Sequence, residues 1–221
     1  MQLSVIILNY NVRYFLELCV LSVQKSIQNL DAEIIIVDNN SSDDSFNVVT
    51  KFIKDDERFK LVIKSNGVIS GACSSRNMGL SLAKGDFIQF LDSDDILAPN
   101  KIDEQLQLLT KNDKDSVVVC KWELFNHEIT EVKNFKEKAD YCTFENPKDY
   151  FDIIGKFGGF YPPECFLLPR KLIDFSGHWN ENITLNDDGE FFFRILYNSK
   201  KIIFCDSTHV YHRKSKSDGD N

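Results

Sequence analysis

The sequence predicts an α/β fold with a mostly parallel central sheet that is flanked by helices. Short apolar runs rich in β-branched residues alternate with amphipathic segments through the first half of the chain. This alternation is typical of a doubly wound parallel sheet. Polar residues also follow three of the apolar runs, at the point where each predicted strand ends. Because ligands bind beyond the carboxyl ends of such strands, these residues are the first candidates for a site.

The first half of the chain divides into strands and helices in turn. The predicted strands are residues 4–8, 33–37, 61–63 and 87–91. A 3, 4 spacing of apolar residues predicts the first helix over residues 15–27. Ser41 or Ser42 is predicted to cap the second helix. A third, short helix ends at Lys84 after a Gly/Ser-rich loop, and Pro99 is predicted to open the fourth.

The second half is less regular and predicts a smaller mixed region. We expect a long strand at 116–125, followed by a polar surface excursion at 126–146. A loop rich in glycine, proline and aromatic residues is predicted at 155–163, a helix at 188–199, and two short strands at 201–205 and 209–212. The composition of the loop GKFGGFYPP is typical of a binding loop. We expect a single domain over residues 1–221, with a first half at 1–115, a second half at 116–213 and a flexible tail at 214–221.

Composition and charge restrict the classes of function. The chain has 221 residues, of which 43% are hydrophobic and 27% charged, as in ordinary globular proteins. With 26 basic and 34 acidic residues its net charge is −8, so we expect no nucleic-acid partner. No apolar run approaches the ~20 residues that span a bilayer, and we expect no signal peptide. The six cysteines form no C-x-x-C pair, which favours buried, reduced thiols and a cytoplasmic location.

Three common catalytic motifs are absent from the sequence. The turn after the first strand, Asn9-Tyr10-Asn11-Val12, lacks the glycines of a dinucleotide-binding loop. There is no Walker lysine loop and no G-x-S-x-G nucleophile elbow. The same turn argues against a nucleotidylyltransferase, which needs a glycine-rich basic loop at this place.

The acidic cluster Asp92-Ser93-Asp94-Asp95 is the sharpest chemical signal. Three carboxylates within four residues repel one another unless a cation offsets them. Mg²⁺ and Mn²⁺ typically bind one or two protein carboxylates together with phosphate oxygens. The cluster therefore predicts a divalent-metal site that holds a nucleotide diphosphate. The alternative is an exposed acidic turn that caps the helix after it.

Four further residues can take part in such a site, and each has a structural alternative. Asp38 ends the second strand and can accept hydrogen bonds from a uracil or a ribose, or serve as a turn residue. Arg76 can approach a phosphate or neutralise the acidic cluster, or lie in solvent. Asp188 can act as a general base or as a helix cap. His212 can be a metal ligand, a phosphate donor, a core histidine or a surface residue.

Four segments, in order along the chain, resemble the catalytic domain of glycosyltransferase family 2, which has the Rossmann-like GT-A fold. They are SVIILNYN (4–11), EIIIVDNNSSDDS (33–45), SSRNMGLSLAKGDFIQFLDSDD (74–95) and NDDGEFFFRI (186–195). The resemblance covers about residues 3–213. It implies an inverting, metal-dependent enzyme that transfers a hexose-type sugar from a nucleotide-sugar, usually a UDP-sugar, to a hydroxyl group. The acceptor would be a glycan or lipid-linked precursor in cell-surface polysaccharide or lipopolysaccharide synthesis.

The resemblance also implies a role for each matching position. The nucleotide-sugar would be bound by Tyr10, Asp38, Arg76, Asp92 and Ser93. Asp94 would coordinate the Mn²⁺ or Mg²⁺ ion that bridges the two phosphates, and His212 is a further candidate metal ligand. Asp188 would be the base that deprotonates the acceptor hydroxyl.

The sequence departs from the family pattern at two places. Members often have Glu-Asp at the base motif, and Asp187-Asp188 stands here with the second aspartate kept. The Gln-x-x-Arg-Trp motif of processive polymerases is absent, so we expect one sugar to be transferred per encounter. A homodimer and peripheral association with the inner face of the cell membrane are both compatible with the sequence. The alternative function is a non-catalytic nucleotide-sugar-binding protein or a partner subunit of another transferase.

Overall fold

The computed structural model describes residues 1–64 and 71–214, and within them it contains eight strands and seven α-helices. The strands are β1 (Leu3–Asn9), β2 (Ala32–Asp38), β3 (Phe59–Ile63), β4 (Phe87–Asp92), β5 (Ile96–Leu97), β6 (Val117–Phe125), β7 (Phe166–Pro169) and β8 (Ile202–Arg213). The helices are α1 (Arg13–Ser26), α2 (Ser45–Asp55), α3 (Ala72–Leu82), α4 (Lys101–Lys111), α5 (Pro147–Phe157), α6 (Arg170–Ser176) and α7 (Asp187–Asn198).

The strands form one sheet in the order β3-β2-β1-β4-β7-β6-β8-β5. β3, β2, β1 and β4 run parallel to one another. Every residue of β2 is buried, which explains why this strand has a continuous apolar run rather than an alternating pattern. The predicted α/β fold with a mostly parallel sheet flanked by helices is confirmed.

The second half of the sheet mixes directions. β7 lies antiparallel between β4 and β6, whereas β6 and β8 are parallel, and the short β5 is antiparallel to β8. The prediction of two strands at 201–205 and 209–212 is wrong, because β8 is one strand of 12 residues. The register shifts within it, since Cys120 faces Cys205 while Lys121 faces His209. Residues 206–208 thus form an irregularity of the β-bulge kind that interrupts the ladder.

Two predicted helix starts are also wrong. α2 begins at Ser45, because the segment before it is held to the loop after β1: Ser41 Oγ accepts from the Asn11 backbone N–H at 3.0 Å, and Asn11 Oδ1 accepts from the Ser42 backbone N–H at 2.8 Å. Pro99 does not open α4, which begins at Lys101. The predicted loop 155–163 is shorter than expected, since α5 continues to Phe157.

Five of the six cysteines are buried, but Cys142 is exposed, so the expectation that all six are buried is wrong at that position. The longest helix of the described residues, α1, has 14 residues, and no helix among them is long and apolar enough to cross a membrane. The predicted flexible tail, apart from Lys214, lies outside the described residues, as do residues 65–70 of the Gly/Ser-rich loop.

Candidate active site

The polar residues that follow β1, β2 and β4 meet at one edge of the sheet, as predicted. The strands are adjacent, and their registers place Asn9 opposite Asp38 and Leu8 opposite Asp92. A cleft of about 310 Å³ opens there. Its lining residues are Leu8, Asn9, Tyr10, Val12, Asn39, Ala72, Ser75, Arg76, Asp92, Ser93 and Asp94. Five of the predicted site residues therefore share one cavity wall.

Asp38 lies next to this cleft without lining it. One of its carboxylate oxygens accepts a hydrogen bond from Asn9 Nδ2 at 2.9 Å, and the other accepts from the Ser41 backbone N–H at 2.9 Å. The carboxylate thus ties the loop after β2 to the end of β1. Its predicted contact with a nucleobase or ribose stays a prediction. The buried Oδ1 of Asn9 has no hydrogen-bond partner in the described part of the chain, so this cleft residue offers a free acceptor.

Arg76 joins the acidic cluster to the acidic start of α7. Its side chain is 3% exposed, so it is not a solvated surface arginine. Nη2 lies 3.2 Å from Asp92 Oδ1, and Nη1 lies 3.1 Å from both Asp187 Oδ2 and Asp188 Oδ1. Burial alone lowers the pKa of a guanidinium, but the three carboxylates outweigh it and raise the pKa of Arg76. One buried cation thereby brings together carboxylates that are far apart in the sequence.

The carboxylate of Asp188 has a buried oxygen without a hydrogen-bond partner among the described residues. Its Oδ1 is close enough to Arg76 for ion pairing, but no group of the described chain is oriented to hydrogen-bond it. Burial, with Asp92 and Asp187 adding to it, raises the pKa of Asp188 to about 6 despite the Arg76 charge. A carboxylate whose pKa lies near neutral pH suits general base catalysis.

The backbone before α7 fixes where this carboxylate lies. Asn186, the residue before the helix, has the left-handed conformation, with φ of 57°. Its side chain folds against Gly189, where an added Cβ would lie 2.4 Å from Asn186 Oδ1. A larger residue at position 189 would therefore force the Asn186 side chain to move.

Asp94 is the carboxylate that lacks a cation. Asp92 pairs with Arg76, and Asp95 accepts from the Arg213 backbone N–H at 2.7 Å. Asp94, by contrast, has no ion-pair partner within residues 1–64 and 71–214. Burial, followed by the charges of Asp95 and Asp92, raises the pKa of Asp94 to about 6. The charge of His212 offsets this repulsion only in part. A hard divalent cation would offset the rest, so the residues fit a metal ion.

His212 lies between two buried carboxylates rather than on the surface. Its Nδ1 is 2.9 Å from Glu164 Oε1 and 3.1 Å from Asp95 Oδ2. Burial lowers the pKa of His212, but the hydrogen bonds to Asp95 and Glu164 outweigh it and raise the pKa to about 11. Because an ionised carboxylate only accepts, Nδ1 carries a hydrogen. With this pKa Nε2 also carries a hydrogen at neutral pH, so it could bind a metal ion only if the ion displaced that proton.

Glu164 is a site residue that the sequence analysis missed. Its side chain is fully buried, and three buried side chains hold the backbone around it. Gln89 Nε2 donates to the Glu164 carbonyl at 3.1 Å, Gln105 Nε2 to the Cys165 carbonyl at 2.9 Å, and Lys101 Nζ to the Phe166 carbonyl at 3.4 Å. These three hydrogen bonds hold the segment around Glu164 in place, although Gln105 Oε1 and Glu164 Oε2 have no hydrogen-bond partner among the described residues. The sequence offered one indirect sign of this network. Lys101 and Gln105 are polar residues four apart, on the side of α4 that carries its apolar residues.

The chain is similar to known glycosyltransferases. The sequence model of Glycosyl transferase family 2 matches residues 4–174. The glycosyltransferase GlyG of Streptococcus pneumoniae serotype 4 is 28% identical over 223 residues, which cover 97% of this chain and 72% of that protein. The GalNAc(5)-diNAcBac-PP-undecaprenol beta-1,3-glucosyltransferase of Campylobacter jejuni is 40% identical over 189 residues, which cover 84% of this chain and 57% of that protein.

The fold has a counterpart among solved structures. S. aureus TarS 1-349, in a crystal structure with UDP-GlcNAc, matches with a TM-score of 0.80 and 20% identity. The match covers 99% of this chain and 60% of that chain, so the chain spans little more than half of these two longer proteins. This similarity confirms the predicted GT-A fold. Since the family model covers well over half of the sequence, the chain belongs to glycosyltransferase family 2.

Proposed function

We propose that the protein is an inverting, metal-dependent, non-processive glycosyltransferase. It moves a hexose-type sugar from a UDP-sugar to a hydroxyl of a lipid-linked glycan in cell-surface polysaccharide synthesis. The observation that carries the proposal is Arg76, which places the base candidate Asp188 beside the acidic cleft that contains Asp92. TarS, which shares the fold, was crystallised with UDP-GlcNAc, and the name of the Campylobacter relative gives it an undecaprenol-linked acceptor. Both support the proposed substrates.

In this proposal residues 1–115 bind the donor and residues 116–213 face the acceptor. Tyr10, whose ring is 59% exposed, is available to contact the nucleobase at the mouth of the cleft. Asp92 and Ser93 line the same cleft and would contact the ribose side of the donor. Because the proposed acceptor is lipid-linked, the reaction would take place at the cytoplasmic face of the membrane.

Asp94 and, through Nε2 once the metal ion has displaced its proton, His212 would hold a Mn²⁺ or Mg²⁺ ion. When bound, such an ion stabilises the negative charge that develops on the leaving diphosphate. Arg76 would add a fixed positive charge on the same side of the cleft. Asp188 would take the proton of the acceptor hydroxyl as that oxygen attacks the anomeric carbon from the face opposite the diphosphate, which inverts the configuration.

Calorimetric titration with UDP, in the presence and absence of Mn²⁺, tests the donor site. We expect wild-type protein to bind UDP only with the metal, and Asp94→Ala to bind it about tenfold or more weakly, because a charge-assisted contact is lost. Asp152→Ala removes an exposed carboxylate of α5 and serves as the matched control. Metal-independent binding of UDP, or no UDP binding by the wild type, would contradict the proposed donor site.

The rate of transfer should depend on pH through Asp188. A base is active only when ionised, and the pKa of Asp188 is raised to about 6. We therefore expect kcat/KM for the acceptor to fall as the pH is lowered through about 6, and to change little between pH 7 and 8. Measurement of kcat/KM for the acceptor from pH 5 to 8 at saturating donor and metal checks this. A kcat/KM that stays constant down to pH 5 would rule out a base with this pKa.

A further inference from the structure

We propose that Phe160 is the stacking platform for the sugar ring of the acceptor. This inference rests on the proposed function and names the group that would recognise the acceptor glycan. The ring of Phe160 is 49% exposed, in the loop between α5 and the 3₁₀ turn Pro163–Cys165. That loop is the segment whose composition was typical of a binding loop.

Phe160 is exposed but firmly held. Its carbonyl oxygen accepts a hydrogen bond from Trp122 Nε1 at 3.0 Å, and the two rings meet edge to face with centroids 5.8 Å apart. The next residue, Tyr161, is buried, and its hydroxyl donates to the Asp140 carbonyl at 3.3 Å. On the other side Gly158 has φ of 72°, a conformation that allows the chain to turn away from α5. Exposure alone does not distinguish Phe160 from other exposed aromatic residues, but its backbone is held in place and its ring is left available for contact.

The ring also lies beside His212, a candidate metal ligand. The centroid of Phe160 lies 6.4 Å from that of His212, and the centroid of Trp122 lies 5.9 Å from it. His212 in turn contacts Asp95 of the acidic cluster. Phe160 therefore stands where the second half of the chain meets the site, on the side that would face the acceptor.

The chemistry of the surface fits one face of a pyranose. A face of the Trp122 ring is already covered by Lys138, whose Nζ lies 3.6 Å from the ring centroid. Phe160 is consequently the free ring of the pair. Its electron-rich face matches the weakly positive C–H groups on the apolar face of a hexopyranose.

A second exposed ring allows an experiment to distinguish sugar stacking from contact with a membrane. Phe157 ends α5 and is 61% exposed, three residues before Phe160. Contact with a lipid surface would use both rings, whereas a platform beside His212 uses Phe160 alone. Phe157→Ala is thus a matched control for Phe160→Ala.

The test is binding of methyl glycosides of glucose, GlcNAc and GalNAc to UDP- and Mg²⁺-loaded protein, followed by saturation-transfer NMR. We expect at least one glycoside to bind with saturation of its ring C–H protons. Phe160→Ala and Phe160→Leu should weaken this binding about tenfold, Phe160→Trp should retain it, and Phe157→Ala should not alter it. UDP affinity should be equal in all five proteins. The leucine variant keeps an apolar side chain at this position. It therefore serves as a control for a loss of glycoside binding that is caused by misfolding.

Several outcomes would overturn the proposal. If Phe160→Ala and wild type bind the glycosides equally, Phe160 is not a stacking platform. If the wild type still binds UDP in that case, the proposed function is not contradicted. No glycoside binding by UDP-loaded wild type also overturns it. If both alanine variants reduce sedimentation with phosphatidylglycerol vesicles and neither affects glycoside binding, the two rings form a membrane contact instead. Failure of the wild type to bind UDP would count against the proposed function itself.

Discussion

Replacement of Asp188 by asparagine is expected to lower kcat of sugar transfer by about 10³-fold, within the range that general base catalysis contributes. The amide has nearly the same size but cannot take a proton, so the acceptor hydroxyl would attack without assistance. UDP affinity should change little, because Asp188 does not line the donor cleft. Steady-state kinetics at saturating donor and acceptor, with calorimetry of UDP binding, measure both quantities.

Asp187→Asn is the matched control for this prediction. Asp187 also pairs with Arg76, and its Oδ2 lies 3.3 Å from Cys73 Sγ, but its carboxylate already has these partners. We expect the control to retain most of the activity. An inactive Asp187→Asn beside an active Asp188→Asn would assign the base to the first aspartate of the pair.

Replacement of Arg76 by methionine should lower the free energy of unfolding by about 3 kcal/mol at pH 7, since it leaves three partly buried carboxylates without their cation. Asp92, Asp187 and Asp188 would then face one another across the base of the cleft. Methionine keeps the apolar volume against Trp179, whose ring lies 4.3 Å from the guanidinium carbon. Arg76→Lys should restore only part of this stability, because a single ammonium group cannot reach three carboxylates as the planar guanidinium group does.

Urea denaturation followed by circular dichroism measures this effect, and its pH dependence has a definite sign. Asp188 already has a raised pKa in the folded wild type, and loss of Arg76 raises it further. Protonation therefore stabilises the folded variant, and the difference from wild type should shrink between pH 7 and pH 5. Arg13→Met removes an exposed arginine and provides the control. A loss that stays equal at both pH values would show that lost packing, rather than charge, is responsible.

The sequence was most informative where structure is local. Apolar runs and helical spacing predict the parallel part of the sheet, and the polar residues after β1, β2 and β4 are brought together because adjacent parallel strands end at one edge. The resemblance to the family then supplied the candidate roles of Arg76 and Asp188. Both lie in the cleft or beside it.

What could not be predicted depends on contacts between distant segments. β5 has two residues, too few to show any periodicity, and it exists because β8 pairs with it. Glu164 has no motif around it, and only the fold shows that it contacts His212, 48 residues later. The misplaced start of α2 has the same origin, since Asn11 in another loop holds Ser42.

The pairing of β8 with β5 and β6 has a consequence for how the protein folds. The hydrogen bond that holds Asp95 comes from Arg213, 118 residues later, so one wall of the site rests on one of the longest-range contacts in the chain. Contacts that close large loops form late, because the chain must lose conformational entropy before the contact can stabilise it. We therefore expect refolding to produce a sheet of β1 to β4 before the acidic cluster is ordered, so that secondary structure returns earlier than the ability to bind ligand.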